Sequence, residues 1–378
     1  MRILYITQMY PSEKLPQYCA FLHLQVKALI ANDVEVQVVI PSVVEETHEC
    51  IFDGVSVLYL QYRDFSRSCL YGLVTAKLIK ELNKNLKVSD YDVIYAIHAP
   101  ANILEFSRVV ARRNHKPLLV HYRGYNIFNE YEEEKKALFS NPERVKEKVV
   151  KQSDLSIGVS QKTVDIIKRR FPNAPTEVIY NGVDLEVFAT ANEDTSDGVV
   201  KLLCVANLIP IKGHKLLLNA YSRICDKYPQ LKLQLDIVGR GFLEEELKQY
   251  VAENNIKNVY FSGYVSHRDV AEYMKKTTIF VLPSVYESFG NVCLESMACG
   301  KPVVIFEGQG VDEIIEDGYS GMIAEKGNAE DLELKIEKLL LDKDLRAYIA
   351  KNAQEVAKQY TWDRSAKCII ESINKVKK

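Results

Sequence analysis

The stretch Val281 to Gly300, VLPSVYESFGNVCLESMACG, decides the fold because it passes from a buried strand through a glycine turn into a helix. The apolar run IFVLP indicates the end of a buried strand, and Gly290 permits a tight turn after a polar loop. A helix is predicted from about Asn291 to Cys299, since Gly300 and a proline two residues later are stop signals. Val303 to Phe306 indicates the next buried strand. The stretch therefore predicts a ligand-binding loop at the carboxyl end of a strand in an open α/β sheet.

Two glutamates flank this turn, and their surroundings suit a phosphorylated ligand. The backbone N–H groups around Phe289, Gly290 and Asn291, together with the positive end of the helix, favour a phosphate. Glu295 is then placed to accept hydrogen bonds from a ribose diol, while Glu287 faces the group attached to the far phosphate. A solvated surface loop followed by an amphipathic helix also explains the two glutamates when they are considered alone.

Length and composition indicate a globular protein of two domains. The chain has 378 residues, of which 47% are hydrophobic and 26% charged, enough for two sizeable cores. The formal net charge is −2, so no overall positive field attracts nucleic acid, and no nucleic-acid partner is expected. No window approaches the ~18 to 20 consecutive apolar residues of a membrane span.

The cysteines and the first residues favour a cytoplasmic location. Eight cysteines occur without any C-x-x-C pair, and several lie in apolar segments, which is typical of free buried thiols in a reducing compartment. The opening run MRILYITQMYPS is too short for a signal peptide and is interpreted as a first buried strand.

Strand and helix patterns alternate along the whole chain, as in parallel α/β sheets. The strands predicted in the first half are Arg2–Thr7, Val34–Ile40, Asp92–Ile97, Pro117–Tyr122 and Ser156–Ser160, and its helices are Tyr18–Ala31, Ala101–Arg113 and Gln161–Phe171. The strands predicted in the second half are Val199–Ala206, Leu233–Val238, Val259–Phe261, Ile279–Leu282 and Val303–Phe306, and its helices include His214–Lys227 and Glu244–Asn254. The polar segment Ala189 to Gly198 is the predicted linker. Domains are therefore expected at 1–190 and 191–361, followed by a C-terminal helix at 362–378.

The segment ESFGNVCLESMACGKPVV resembles the signature of the family-4 retaining glycosyltransferases, whose E-x7-E pair spans a nucleotide-sugar site. The resemblance extends over nearly the whole chain and is looser in the N-terminal part. It implies the GT-B fold, in which two Rossmann-like domains with parallel sheets face a central cleft. The donor would bind the second domain and the acceptor the first, and the last helix would cross back onto the first domain.

The activity implied by the resemblance is transfer of a hexosyl unit from a UDP- or GDP-linked sugar to an acceptor hydroxyl, with retention of configuration. The setting would be bacterial polysaccharide or glycolipid synthesis, with a sugar or a lipid-linked sugar as acceptor. No metal or other cofactor is expected. Two Asp-x-Asp triplets, at 90–92 and 342–344, are interpreted as ordinary strand and helix starts.

Lys212 lies in NLIPIKG and offers an ammonium group to a diphosphate, while Gly213 lets the backbone approach it. With the resemblance, the residues predicted to be catalytic are Glu287, Lys212 and Arg123. The residues predicted to contact the nucleotide-sugar are Asn207, Gly213, Gly239, Arg240, Tyr264, Val265, Ser288, Phe289, Gly290, Asn291 and Glu295.

This chain departs from the family pattern at several positions. Asn207 stands where the family has an arginine, and Cys19 lies near a usual glycine. In LVHYRGYN, Arg123 occupies a histidine position and Asn126 replaces an acid. An arginine at the carboxyl end of a strand suits a phosphate or an acidic acceptor, and it equally suits a surface position beside a turn.

A basic, partly apolar segment in the first domain brackets the residues LYGLV. Its basic residues are Arg63, Arg67, Lys77, Lys80, Lys84 and Lys87. Such a helix either presents a solvated face or lies on an anionic membrane surface, which would place the protein at the inner face of the membrane.

Two other classes of function stay open at this point. One is a catalytically weak GT-B subunit that acts as a binding partner, suggested by Cys19, Asn126 and Asn207. The other is a nucleotide-sugar epimerase or oxidoreductase. The loop at Gly239 to Gly241 lacks the third glycine of a dinucleotide motif, which counts against an NAD-dependent dehydrogenase.

Overall fold

The computed structural model describes residues 1–15, 18–61, 71–124, 142–188 and 198–377. The chain forms two compact units, of which the first comprises Met1–Tyr180 together with Trp362–Lys378, and the second comprises Asn181–Thr361. Each unit is built on one sheet covered by helices. Among the described residues, no helix combines the length and hydropathy that crossing a bilayer requires.

The first unit alternates strands and helices, as the sequence predicts. Its strands are β1 (Arg2–Ile6), β2 (Glu35–Ser42), β3 (His48–Phe52), β4 (Val55–Gln61), β5 (Val93–Ile97), β6 (Leu118–Tyr122), β7 (Leu155–Gly158) and β8 (Thr176–Val178). Its helices are α1 (Ala20–Ala31), α2 (Tyr71–Asn85), α3 (Ala101–Arg113), α4 (Pro142–Gln152), α5 (Gln161–Arg170) and, at the end of the chain, α13 (Trp362–Val376).

The first sheet has the strand order β3-β4-β2-β1-β5-β6-β7-β8. The β3–β4 pair is antiparallel and the other pairs are parallel. Leu4 and Ile6 of β1 belong to one apolar cluster, whereas Ile3 and Tyr5 belong to another. Because alternate side chains of a strand point to opposite faces, both faces of this sheet are buried. This explains why its central strands are continuous apolar runs.

The antiparallel pair β3–β4 is an element that the predictions left out. Asp53 and Gly54 connect the two strands, with φ of 45° and 78° respectively. An Asp-Gly pair between strands is a recognised signal for a two-residue hairpin turn. The sequence VSVLYLQ of β4 also alternates in the manner of a strand. The signal was therefore present, although β3 itself is short and largely exposed.

Helix α13 packs against α1 within the first unit. Ala366, Ile369 and Ile373 are fully buried and share an apolar cluster with the buried side of α1. The Asn32 side chain donates to Asp363 Oδ1 at 2.8 Å. The last turns are also tied to this unit, because Ser372 Oγ donates to the Glu177 carboxylate at 2.6 Å.

The second unit continues the alternation. Its strands are β9 (Val199–Val205), β10 (Lys232–Val238), β11 (Val259–Gly263), β12 (Ile279–Leu282), β13 (Val303–Phe306) and β14 (Met322–Ala324). Its helices are α6 (Leu185–Phe188), α7 (His214–Lys227), α8 (Glu244–Glu253), α9 (His267–Lys276), α10 (Asn291–Ala298), α11 (Ala329–Leu341) and α12 (Lys343–Ala357).

The second sheet is parallel, with the order β11-β10-β9-β12-β13-β14. The chain starts at β9, adds β10 and β11 on one side, and then places β12, β13 and β14 on the other. The carboxyl ends of β9 and β12 therefore form a topological switch point, where open α/β sheets characteristically bind ligands.

The predicted boundary at residue 190 and the predicted linker, apart from Gly198 at its end, lie outside the described part of the chain. The two units join in sequence at Tyr180 and Asn181. The residues just after this point are tied to the second unit, since the Val183 N–H donates to the Tyr360 carbonyl at 2.9 Å.

The two Asp-x-Asp triplets have local structural roles. Asp92 precedes β5 and accepts a hydrogen bond from the Arg2 backbone N–H at 2.7 Å. Asp342 is the N-cap of α12 and accepts from the Leu345 N–H at 2.8 Å, which confirms the predicted helix start. The described cysteines are free thiols.

Candidate active site

Lys212 and Glu287 meet at the switch point of the second sheet. Lys212 ends the loop that follows β9, and Glu287 lies in the loop that follows β12. The two loops are joined by a hydrogen bond from the Val285 N–H to the Ile211 carbonyl, at 2.9 Å. The Lys212 ammonium group forms an ion pair with Glu287 Oε1, and the two side chains are only 15% and 16% exposed. The switch point thus carries a partly buried, directly paired lysine and glutamate.

Gly213 allows these two loops to approach each other. Its φ is +67°, in the left-handed region that glycine adopts readily. A Cβ at this position would lie 2.0 Å from the Pro283 carbonyl oxygen, much closer than atoms can pack. The glycine after Lys212 is therefore required by the local geometry.

Glu287 is held by further contacts that leave part of its carboxylate available. The Ser284 hydroxyl donates to Glu287 Oε1 at 3.2 Å, so that both this contact and the lysine engage the same oxygen. The Glu287 carbonyl accepts from the Gly310 N–H at 3.1 Å. Both side-chain contacts thus involve Oε1, and Oε2 takes part in neither of them.

Helix α10 begins directly beside Glu287. Its N-cap is Gly290, with φ of 90° and no side-chain cap, so its first N–H groups are without the usual capping acceptor. The Asn291 side chain is oriented by Asn181, whose Nδ2 donates to Asn291 Oδ1 at 2.6 Å. Phe289 is only 2% exposed, so it anchors the turn in the core. Ser288 is also buried. The positive end of the helix is thereby fixed next to the ion pair.

Glu295 lies on α10 and is paired with a residue that the sequence reasoning missed. His267 Nε2 lies 3.1 Å from Glu295 Oε1, and the Phe188 ring packs edge-on against the imidazole with 4.9 Å between ring centroids. Burial lowers the pKa of His267, but the hydrogen bond to Glu295 and the charges of Glu295 and Asp184 outweigh it, so the pKa is raised. The Ser266–Asp269 capping box that starts α9 marked this helix start, although nothing in the sequence paired His267 with Glu295.

The buried thiol of Cys293, on α10, is subject to the charges of Lys212, Glu287 and Glu295. Burial raises the pKa of Cys293 well above its usual value, and the negative charges of Glu287 and Glu295 raise it further. The charge of Lys212 acts on the same thiol in the opposite direction. All three charges therefore act on the same side chain of α10.

His214 follows Gly213 and is buried at the start of α7. Neither ring nitrogen has a hydrogen-bond partner within the described ranges. Burial, with a smaller contribution from the Lys212 charge, lowers the pKa of His214 to about 4. The imidazole is thus neutral near pH 7 and adds no positive charge beside Lys212.

The loops after β9, β10 and β11 are linked to one another at the same edge. The Leu208 N–H donates to the Arg240 carbonyl at 2.9 Å, and the Gly239 N–H donates to the Gly263 carbonyl at 2.8 Å. A Cβ on Gly239 would lie 1.9 Å from the Ala206 carbonyl oxygen, which explains this glycine.

The remaining predicted nucleotide contacts lie along this edge. Asn207, Arg240 and Tyr264 are exposed, and Val265 is half-buried. The Arg240 side chain lies over the turn at Gly263, since its Nε is 3.7 Å from the position of a Cβ there. Arg240 is thus placed near the start of the Tyr264 loop.

Arg123 belongs to the first unit and follows β6. Its Cζ lies 5.3 Å from the Phe21 ring centroid and 5.5 Å from that of Trp362. Cys19, which stands near a usual glycine, precedes α1 with a left-handed φ of 54°. The backbone at this position thus keeps the conformation that glycine favours. Asn126 lies outside the described residues.

The pairing of His267 with Glu295 predicts a pH-dependent contribution to stability. The charged imidazolium stabilises the fold below the unfolded pKa of about 6.5, and this contribution is lost as pH rises through the raised folded pKa. His267→Gln keeps an N–H donor but cannot be charged. We expect its deficit in melting temperature relative to the wild type to be largest near pH 5.5 and to shrink above the folded pKa.

Thermal melts at a series of pH values measure this effect, with Glu295→Gln and the double variant completing a cycle. The double variant is expected to show no pH-dependent deficit beyond that of either single variant. A deficit of His267→Gln that is constant with pH would contradict the ion pair.

Two family models match the chain over most of its length. Glycosyltransferase Family 4 matches residues 21–187, and Glycosyl transferases group 1 matches residues 190–356. The first match covers most of the acceptor half predicted from the sequence, and the second contains Lys212, Glu287 and Glu295.

Curated relatives show the same class. The uncharacterized glycosyltransferase MJ1178 of Methanocaldococcus jannaschii is 35% identical over 193 residues, which are 51% of each chain. The N-acetylgalactosamine-N,N'-diacetylbacillosaminyl-diphospho-undecaprenol 4-alpha-N-acetylgalactosaminyltransferase of Campylobacter jejuni is 30% identical over 214 residues, which are 55% of this chain and 57% of the relative. The matched region thus spans only about half the length of these relatives.

Solved structures share the complete fold. The structure of Anabaena Alr3699/HepE in complex with UDP-glucose superposes with a TM-score of 0.77 and 23% sequence identity, and the match covers 99% of this chain and 100% of that one. The two family models together match most of the chain, and its two sheets superpose on a solved GT-B structure. The chain is therefore a member of the family-4 glycosyltransferases and has the GT-B fold.

Proposed function

We propose that this protein is a retaining glycosyltransferase that moves a hexosyl unit from a UDP- or GDP-linked sugar to an acceptor hydroxyl. The observation that carries the proposal is the Lys212–Glu287 pair at the switch point of the second sheet, beside the uncapped start of α10. In this proposal the second unit binds the donor, and the first unit binds the acceptor.

The donor diphosphate would bind between Lys212 and the first N–H groups of α10. An ammonium group has three donors, and one of them engages Glu287, so two remain for phosphate oxygens. Negative charge grows on the diphosphate as the bond to the sugar breaks, and fixed donors aimed at that charge lower the barrier. Because these groups supply the positive charge, we propose that the reaction needs no metal ion.

The two acids would recognise the rest of the donor. Glu287 Oε2 would accept from a sugar hydroxyl, while Oε1 is held by Lys212 and Ser284. Glu295, one helical turn along α10, would accept from the ribose diol, and His267 fixes its orientation. The exposed loop at Tyr264 would lie beside the base.

Retention is proposed by analogy with the family, and the engagement of Glu287 Oε1 by Lys212 and Ser284 is consistent with a front-face reaction that uses no protein nucleophile. The bond between the sugar C1 and the phosphate oxygen breaks, and the bond from C1 to the acceptor oxygen forms on the same face. The acceptor proton passes to the departing phosphate oxygen. All atoms and charges balance without a further reactant.

The comparisons support a donor and an acceptor of these classes. The structure of Anabaena Alr3699/HepE was determined in complex with UDP-glucose. The Campylobacter relative is named as a transferase that acts on a sugar linked to diphospho-undecaprenol. By analogy, we propose a role in bacterial cell-surface polysaccharide or glycolipid synthesis, with a sugar or lipid-linked sugar as acceptor.

The proposal is tested in two steps. A thermal-shift screen of UDP-, GDP- and ADP-sugars, with free nucleotides as controls, identifies the donor. Transfer to candidate acceptors is then followed by proton NMR of the anomeric signal. Donor and product with the same anomeric configuration support the proposal, whereas inversion would exclude the retaining mechanism. Binding without transfer or donor hydrolysis would favour a catalytically weak subunit, and NAD-dependent turnover would favour an oxidoreductase or epimerase.

The exposed face of α2 fits peripheral contact with an anionic membrane at the inner face. Lys77, Lys80 and Lys84 are exposed on this helix, and Leu73 on it is 65% exposed. Arg63 and Arg67 lie outside the described residues. Basic residues near an anionic surface contribute about 1 kcal/mol each.

Replacing Lys77, Lys80 and Lys84 with glutamate is therefore expected to abolish co-sedimentation with vesicles that contain anionic lipids. The matched control replaces Lys343, Lys351 and Lys358, which are exposed on or next to α12, and should leave vesicle binding unchanged. If the α2 variant and the wild type bind the vesicles equally, the proposed membrane contact is contradicted.

A further inference from the structure

The first sheet has its own switch point, at the carboxyl ends of β1 and β5. From β1 the chain builds β2 and β4 on one side, and from β5 it builds β6, β7 and β8 on the other. Helices α1 and α3 begin at this edge, after Cys19 and Pro100, and neither has a side-chain cap. Their first N–H groups therefore add positive partial charge there.

Arg123 brings a full positive charge to the same edge. It follows β6, and its guanidinium is flanked by the rings of Phe21, on α1, and Trp362, on α13. Nε, Nη1 and Nη2 are all buried, and none has a hydrogen-bond partner in the part of the chain that the structure describes. Arginine remains charged in proteins, and a buried charge without a counter-charge is strongly unfavourable. The position therefore implies that a ligand supplies an anion.

The neighbouring polar groups do not supply that anion. Tyr5 donates its hydroxyl proton to Gln25 Oε1 at 3.0 Å, and the Tyr95 hydroxyl lies 2.6 Å from His121 Nδ1. Burial raises the pKa of both tyrosines, which keeps the phenols neutral. Burial and then the Arg123 charge lower the pKa of His121, which keeps the imidazole neutral as well.

His98 adds a second neutral imidazole near this cation. It follows β5 and packs edge-on against Phe21, with 5.9 Å between ring centroids. Its pKa is lowered by burial and then by the charge of Arg123. The groups that interact with Arg123 in the described ranges are thus aromatic rings, phenols and imidazoles, without a carboxylate.

We propose that Arg123 binds a phosphate group of the acceptor at the switch point of the first sheet. The inference rests on the proposed function, because it names the chemical class of the acceptor. A guanidinium offers five N–H donors in a fork that matches phosphate oxygens, and the two helix starts add further positive charge. The flanking rings of Phe21 and Trp362 restrict the direction of the fork. The phosphate can belong to a soluble sugar phosphate or to a lipid diphosphate.

The test uses the full chain with Lys212→Ala, so that phosphate binding in the second unit does not mask the effect. Inorganic phosphate is titrated at constant ionic strength while the melting temperature is measured. We expect a rise of several degrees in this background and no rise when Arg123→Met is added. Arg123→Lys, which keeps the charge, should retain part of the rise, and Arg112→Met, at an exposed position of α3, should retain all of it.

Methionine is unbranched and apolar, so it replaces the stem of the arginine side chain between the two rings without the charged guanidinium. Without phosphate, Arg123→Met is expected to melt at the same temperature or higher, because it removes a buried unpaired charge. If Arg123→Met melts at a lower temperature and still responds fully to phosphate, Arg123 only stabilises the packing of α13. The inference would then be wrong.

Two probes distinguish the sources of the phosphate. Glucose 6-phosphate represents a soluble acceptor and farnesyl diphosphate a lipid-linked one, and the tighter Arg123-dependent ligand identifies the class. If phosphate binding depends on Arg123 but the protein transfers no sugar, the proposed function is contradicted and the anion site is supported. If the protein transfers sugar but its response to phosphate does not depend on Arg123, the anion site is contradicted and the proposed function is supported.

Discussion

Lys212→Ala is expected to lower kcat for glycosyl transfer by about 100-fold, which corresponds to about 2.7 kcal/mol of lost transition-state stabilisation. The Lys212 side chain is 15% exposed and its ammonium group is paired with Glu287, so the charge acts in an environment with little solvent screening. Its removal takes away the cation proposed to contact the leaving group and also leaves the Glu287 carboxylate without its ion-pair partner. The effect should appear mainly in kcat, because the charge on the diphosphate grows in the transition state.

The control for this variant is Lys215→Ala. Lys215 is three residues away, on the exposed side of α7, and pairs with Glu246 at 2.6 Å. Steady-state kinetics with the donor identified by the thermal-shift screen should show wild-type rates for Lys215→Ala. Equal rates for Lys212→Ala and Lys215→Ala would show that Lys212 does not serve the leaving group.

Gly213→Ala is expected to destabilise the second unit by several kcal/mol and to abolish most activity. A left-handed φ costs a non-glycine residue about 1–2 kcal/mol. The added Cβ would also lie 2.0 Å from the Pro283 carbonyl oxygen, so the loops after β9 and β12 must separate. That separation breaks the alignment of Lys212 with Glu287. In a unit of this size, each kcal/mol lowers Tm by roughly 2–4 °C, so a fall of about 10 °C is expected.

Gly327→Ala is the matched control, because it measures the cost of a left-handed φ for alanine without a steric clash. Gly327 has φ of +75°, close to that of Gly213, but no atom lies within 4 Å of its would-be Cβ. Calorimetry should therefore show only a small fall in Tm for this variant, with activity retained. Similar melting temperatures for the two variants would mean that the close contact with Pro283 is absent in solution.

Much of the fold follows from apolar patterns in the sequence. The predicted bounds of α3, α7, β12 and β13 agree with the structure residue for residue, because continuous apolar runs and helical periodicity are strong where both faces of a parallel sheet are buried. The strand β3 was not predicted, since an exposed edge strand carries no such run.

The candidate site was predictable where it depends on topology. Lys212 and Glu287 each follow a strand, and parallel strands that neighbour each other place such loops at one edge. Their contact is observed, and their roles in catalysis remain predictions. The pairing of His267 with Glu295 and of Asn181 with Asn291 joins residues 28 and 110 positions apart. No local pattern encodes such a pairing. The lack of a hydrogen-bond partner for Arg123 among the described residues could not be predicted either, because it depends on which distant side chains the fold brings near the guanidinium.

The path of the chain has a practical meaning for dissecting this protein. Since the last helix belongs to the same unit as the first strand, the middle portion is an insertion into a module whose two pieces are distant in sequence. The second unit can be cloned as one uninterrupted fragment, from Asn181 to Thr361. A clone of the first unit needs a short artificial linker between its two segments, Met1–Tyr180 and Trp362–Lys378. A tag fused after Lys378 is attached to the first unit.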